Sequence, residues 1–206
     1  SIMDKEEIIL KINEIKNKFP SDFKLPNIYF LHGDLTDDEI NLLYNYPKVK
    51  CMISFTHGEG FGRPLLEATM VGLPVLTTNW SGQLDFLDDK ISVLIGGELK
   101  EVPKSAIWKD IIIPQSQWFN IDENQAYRAI KYIYQNYDEV LQKTKILTEK
   151  NRKQFTLNKM SEKLNESHTK HLSSEVKLNL AKLQKKTEEG SKLKLPKLNK
   201  VTEGVV

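Results

Sequence analysis

Apolar residues between Lys5 and Phe19 fall at Ile8, Ile9, Ile12, Ile15 and Phe19, with lysines and glutamates between them. That spacing predicts an amphipathic helix, ended by Pro20 and the Ser21-Asp22 pair. Ile28-Tyr29-Phe30-Leu31 predicts a strand, with His32-Gly33-Asp34 as its exit loop. Thr36, with Glu39 three residues on, reads as a capping box opening a helix whose apolar side is Ile40, Leu42, Leu43 and Tyr44. Tyr46-Pro47 closes it.

The run from Ile53 to Thr78 reads as a strand–loop–helix–strand unit. Met52-Ile53-Ser54-Phe55 is short, apolar and β-prone, as a buried parallel strand should be. Gly58, Gly60 and Gly62 follow, so at every second position the backbone is free to take positive φ and to approach a ligand. Pro64 is expected at the first position of a helix continuing through Leu65 to Val71. Gly72 stops that helix, and Pro74 begins the strand Val75-Leu76-Thr77-Thr78. Ile91 to Ile95 is a further strand. The predicted order is α-β-α-β-α-β-β with short loops, which implies a parallel sheet covered by helices on both faces.

Beyond Gly97 the pattern loosens. Ile107-Trp108 and Ile111-Ile112-Ile113-Pro114 read as short extended pieces, and Trp118-Phe119 as a buried aromatic anchor. Asp122-Glu123 leads a long helix with Ala126, Ala129, Ile130, Ile133, Tyr137, Val140 and Leu141 on one face. A last helix is expected from Phe155 to Leu164.

The central unit also carries the candidate chemistry. Backbone N–H groups at a helix start, with the positive end of the dipole, make an anion site. Glu67, about one turn into the helix, suits a pair of hydroxyl hydrogen bonds from a vicinal diol such as a ribose. Glu59, at the loop entrance, reaches a second polyol. Two carboxylates flanking an anion loop suggest a ligand laid out polyol–phosphate–polyol, as a nucleotide sugar is. A dipole-complementing role in the first turn would explain Glu67 alone, but not the glycines and Glu59 with it.

The sequence E-G-F-G-R-P-L-L-E-A at Glu59–Ala68, followed by G-L-P-V-L-T-T-N and S-G, resembles the donor-site signature of retaining glycosyltransferases of the group 1 (family 4) type. The likeness extends more weakly from about Ile8 to about Phe155. It implies an α/β fold, a Rossmann-like three-layer parallel sheet forming the C-terminal half of a GT-B enzyme. The implied reaction is transfer of a sugar from a nucleotide-diphosphate-sugar donor with retention at the anomeric carbon. The donor is then a co-substrate, and no cofactor or metal is implied. By the same resemblance Glu59 is the catalytic candidate, holding and orienting the donor sugar. Glu67, Gly60, Phe61, Gly62, Leu66, Ser81, Gly82 and His57 are donor-binding candidates. Ser81 and Gly82 read equally as an ordinary strand-to-helix turn, and His57 equally as a packing residue. Arg63 is expected at the surface. The family's preceding strand, its Arg and Lys on the diphosphate, and its N-terminal acceptor domain have no counterpart in this chain, so that domain is expected in cis or in trans.

Composition changes the picture at the margins. The chain is 39% hydrophobic and 28% charged with net charge +2, ordinary for a globular protein and pointing to no nucleic-acid partner. A single cysteine, Cys51, excludes an internal disulfide and fits a reducing, cytoplasmic setting; it is expected to be inert core. His32 and His57 lack the partners of a metal site. Two domains are expected, a nucleotide-sugar-binding unit over 1–165 and a basic Lys/Leu-rich tail over 166–206. From Leu172 onward eight lysines face four glutamates and aromatics vanish. That tail reads either as a solvated arm or as a basic amphipathic contact for a membrane surface or partner. The acceptor, whether sugar, lipid or protein, is left open. Two other functions stay in view, a non-catalytic binding or assembly module and another GT-B enzyme such as a sugar-nucleotide epimerase.

Overall fold

The computed structural model describes residues 2–171. At its centre are three parallel strands, β1 (Met52–Ser54), β2 (Val75–Thr78) and β3 (Val93–Ile95), in the order β1-β2-β3. Met52 faces Val75, and Leu76 faces Val93. The middle strand is buried at all four positions, which is why its sequence is Val-Leu-Thr-Thr rather than an apolar–polar alternation. Helix α3 (Arg63–Met70) connects β1 to β2 and buries Leu65, Leu66, Ala68 and Thr69. It ends in a Schellman pair: the Gly72 N–H donates to the Thr69 carbonyl at 3.1 Å and the Leu73 N–H to Ala68 at 3.0 Å. The α/β parallel architecture read from the sequence is therefore present, and it is Rossmann-like.

The core joins the sheet to the following helices. Leu76 and Ile95 pack with Ala126 and Ile133 of α4 (Glu123–Gln135) and Val140 of α5 (Tyr137–Gln154). The long helix expected after Asp122 is thus two. Asp122 caps α4 through its carboxylate, accepting from the Asn124 and Gln125 N–H groups, and the ladder breaks at Asn136. Leu147 and Thr148 of α5 are buried, and the Thr148 hydroxyl donates to the Thr69 carbonyl at 2.8 Å.

Two expectations near the start are met and one fails. Helix α1 spans Ile2–Lys16, and α2 (Asp37–Tyr44) opens on the Thr36–Glu39 capping box, with both reciprocal hydrogen bonds present. Ile28–Leu31, expected as a strand, pairs with no other strand among the described residues and is exposed. A strand exists only where a ladder partner does, and β-prone composition alone supplies none. The element order is accordingly α-α-β-α-β-β-β-β-α-α-α.

The loosened region after Gly97 is a two-stranded antiparallel sheet, β4 (Gly97–Glu101) with β5 (Gln117–Ile121), pairing Leu99 with Phe119 and Lys100 with Trp118. Between them Trp108 and Ile112 form an isolated antiparallel bridge. The sequence hid this hairpin because β4 is Gly-Glu-Leu-Lys-Glu, exposed throughout, and carries no buried face to leave a period-two signal.

Contacts divide the chain into two compact units, 1–149 and 150–206. In the second, helix α6 (Leu157–His171) runs beyond the Leu164 end expected for it, with its side chains exposed. The Lys/Leu-rich stretch from Leu172 lies outside the described residues. Among those described, no helix is long and apolar enough to cross a membrane.

Candidate functional site

The loops that follow β1 and β2 leave the carboxyl ends of parallel strands, where ligand sites of open α/β sheets lie. Gly62 is the N-cap of α3 at φ 84°, ψ 45°, a left-handed conformation that a side chain would strain. Gly58 is also at positive φ, whereas Gly60 is not. Pro64 stands second in α3 and not first, because Arg63 is already helical. Proline has no N–H, and the Leu65 and Leu66 N–H groups both donate to the Gly62 carbonyl, at 3.0 and 3.1 Å. The anion donor this helix start offers is therefore the Arg63 N–H, fewer groups than the sequence suggested. Leu66 turns its side chain into the core, and Phe61 sits against Phe86 at 5.3 Å between ring centroids.

Four of the candidate residues meet in a backbone stitch between the two loops. The Glu59 carbonyl accepts from the Ser81 hydroxyl at 2.7 Å and from the Gly82 N–H at 3.0 Å. A Cβ on Gly82 would lie 2.2 Å from the Gly60 carbonyl oxygen, so the two loops touch backbone to backbone. Ser81 itself is held at φ 76°, ψ −160°, a region essentially reserved for glycine and costing about 1–3 kcal/mol. Its hydroxyl bond offsets part of that cost. Ser81→Ala removes the bond and keeps the strain, whereas Ser81→Gly removes both. We expect the glycine variant to be the more stable of the two by about 1–2 kcal/mol in urea melts; equal stabilities would mean the backbone is unstrained.

Glu67 lies one turn into α3, and its Oε1 pairs with the Arg63 Nε at 2.8 Å. The pair borders a groove of about 510 Å³ between α2 and α3, lined also by Asp37, Asn41, Tyr44 and Met70. The Tyr44 hydroxyl is pushed above its ordinary pKa by burial first and by the Glu67 carboxylate second, with Arg63 opposing. Arg63, expected as a surface residue, is thus exposed but tied to the candidate carboxylate.

His57 is exposed on one side and held on the other. Its Nδ1 lies 2.8 Å from the Phe119 carbonyl, and its ring stacks on Trp118 at 4.6 Å and 14°. Trp80, next to Ser81, stacks on Phe119 at 5.4 Å and 3°. The aromatic pair expected as a buried anchor belongs to β5 and reaches both loops. The residue the sequence reading passed over is Gln83, fully buried behind the loop, whose side-chain N–H groups donate to the Thr78 carbonyl at 3.1 Å and hydroxyl at 2.8 Å. Nothing in its surroundings in the chain distinguishes it from an exposed turn residue.

A parallel α/β sheet with a glycine-rich, carboxylate-flanked loop at its carboxyl edge places the domain in the Rossmann-like α/β class. Residues 21–112 match the family described as Glycosyl transferases group 1, a likeness consistent with a glycosyltransferase domain and with sugar transfer as its general chemistry. No curated protein matches the chain. The family match stops at Ile112, ahead of β5.

Proposed function

We propose that this chain supplies the donor-binding half of a retaining glycosyltransferase that uses a nucleotide-diphosphate sugar. The observation that carries the reading is the stitched pair of loops: Ser81 and Gly82 fix the backbone of Glu59 while the glycine loop runs on into Glu67. Glu67 takes the ribose hydroxyls through Oε2, the oxygen outside the Arg63 pair, and the groove beside it has room for the attached base. The diphosphate lies over the Arg63 N–H at the start of α3, where the helix dipole favours negative charge. Glu59 accepts from hydroxyls of the donor sugar and orients its anomeric carbon. In the reaction an acceptor oxygen bonds to that carbon on the face the diphosphate leaves. The carbon–oxygen bond to phosphate breaks with its electron pair, and the acceptor's proton passes to the departing phosphate oxygen. A hydrogen-bond donor poised at that oxygen stabilises the charge that develops.

Calorimetric titration with UDP, GDP and ADP tests the reading. One of them should bind, and Glu67→Ala should weaken it by about 1–3 kcal/mol, as for a lost hydrogen bond to a charged group. Glu59→Gln should leave the nucleotide diphosphate bound and reduce sugar transfer in the complete enzyme. If none of the three binds, or Glu67→Ala binds as well as the parent, the donor-site reading is wrong.

A further inference from the structure

The hairpin β4–β5 lies outside the fold's parallel sheet, and its second strand lies beyond the family match, yet it is clamped to the site at two points. Successive residues of β5 do this: Trp118 stacks under His57, and Phe119 stacks on Trp80 while its carbonyl meets the His57 Nδ1 at 2.8 Å. His57 follows β1 and stands two residues before Glu59; Trp80 follows β2 and stands beside Ser81. Gly58, between His57 and Glu59, is pressed against the same neighbours, since a Cβ there would lie 3.3 Å from the Ser81 Oγ and 3.4 Å from Trp80. The hairpin therefore braces both halves of the stitched site.

The hydrogen bond also decides the chemistry of the imidazole. A carbonyl oxygen only accepts, so the His57 Nδ1 must carry the proton and donate it to Phe119. In the neutral ring the remaining nitrogen, Nε2, is then an acceptor. Trp118 covers one ring face and the Phe119 carbonyl holds one ring nitrogen, while His57 as a whole stays exposed.

We propose that β5 is a positioning element that locks His57 as the Nδ1–H tautomer, so that Nε2 accepts a hydroxyl of the donor's sugar beside Glu59. This inference rests on the donor-site reading above. It makes His57 a reader of the sugar rather than of the nucleotide, and Trp118 the residue that acts through it.

Two measurements on the full chain test it. Long-range ¹H–¹⁵N spectra of the ring, taken where imidazole is neutral, should show the Nδ1–H tautomer in the parent and in Trp118→Phe. Trp118→Ala should give a mixture of tautomers. Titrations should compare UDP with UDP-glucose, GDP with GDP-mannose and ADP with ADP-glucose. His57→Asn keeps an N–H for the Phe119 carbonyl but has no acceptor at the Nε2 position. It should lose about three- to tenfold in affinity for the sugar nucleotide and nothing for the matching diphosphate. His57→Gln, whose amide reaches the Nε2 position, should recover part of the loss. A parent ring in the other tautomer or in both overturns the proposal. So does a His57→Asn loss that is equal with and without the sugar; in that case the donor site stands and only this inference falls. If no nucleotide of either kind binds, the donor-site reading fails and takes this inference with it.

Discussion

Gly82→Ala should destabilise the protein by about 3–5 kcal/mol, at the severe end for a single methyl group. The added Cβ would lie 2.2 Å from the Gly60 oxygen, 2.7 Å from the Gly60 carbonyl carbon and 2.8 Å from the Glu59 oxygen. All three are backbone atoms, so no rotamer change can make room, and one loop must move off the other. Moving it breaks the Gly82 N–H bond to Glu59 and pulls on the neighbouring Ser81 hydroxyl bond. Gly60→Ala is the control within the same site. Gly60 is not at positive φ, and a Cβ there meets nothing within 4 Å. It should therefore change stability by no more than about 0.5 kcal/mol. Urea midpoints of the two variants decide the matter. Equal effects would show that the contact between the loops is not what fixes them. Nucleotide binding should follow the same order, lost in Gly82→Ala and kept in Gly60→Ala.

That contrast marks how far the sequence could be read. The strand–loop–helix–strand unit was legible because every signal in it is local: an apolar run, glycines in a row of alternate positions, a proline at a helix start, a glycine at its end. The Thr36–Glu39 capping box was legible for the same reason, since both partners lie within one turn. Ile28–Leu31 misled because strand formation depends on a partner elsewhere in the chain. The same limit applies inside the site. Glu59 and Gly82 were both candidates on the resemblance, but that the backbone of one is the hydrogen-bond acceptor of the other, 23 positions on, is a tertiary fact. So is the approach of Phe119 to His57 across 62 positions. Leu66 shows the converse. A residue inside a ligand signature can belong to the core, because the helix that presents Glu67 must bury its opposite face.

Gln83→Glu should cost about 3–5 kcal/mol at neutral pH, the scale of an uncompensated buried charge, although it replaces one nitrogen by one oxygen. The side chain is fully buried, and its Nε2 must be the group facing Thr78, because the Thr78 carbonyl at 3.1 Å can only accept. Its Oε1 is buried without a hydrogen-bond partner. A carboxylate would set two acceptors against an acceptor at a fully buried position. Protonated, the new carboxyl could donate once to Thr78 and regain part of the loss. The folded state would thus hold that proton more tightly than the unfolded chain, so the folded pKa is raised. A raised carboxyl pKa gives stability that is present below the unfolded value and lost as pH rises through the folded one. The penalty of Gln83→Glu should therefore shrink steadily as the pH falls from neutral toward the ordinary carboxyl range. Gln83→Met, similar in volume but without a donor, should cost about 1–3 kcal/mol for the Thr78 carbonyl left unpaired, with no such pH dependence. Denaturant midpoints of the three proteins across that range separate the two causes. If Gln83→Glu tracks Gln83→Met at every pH, the side chain is filling space. If the curves diverge as pH rises, the amide is there to keep the end of β2 hydrogen-bonded beneath the loop that carries Ser81 and Gly82.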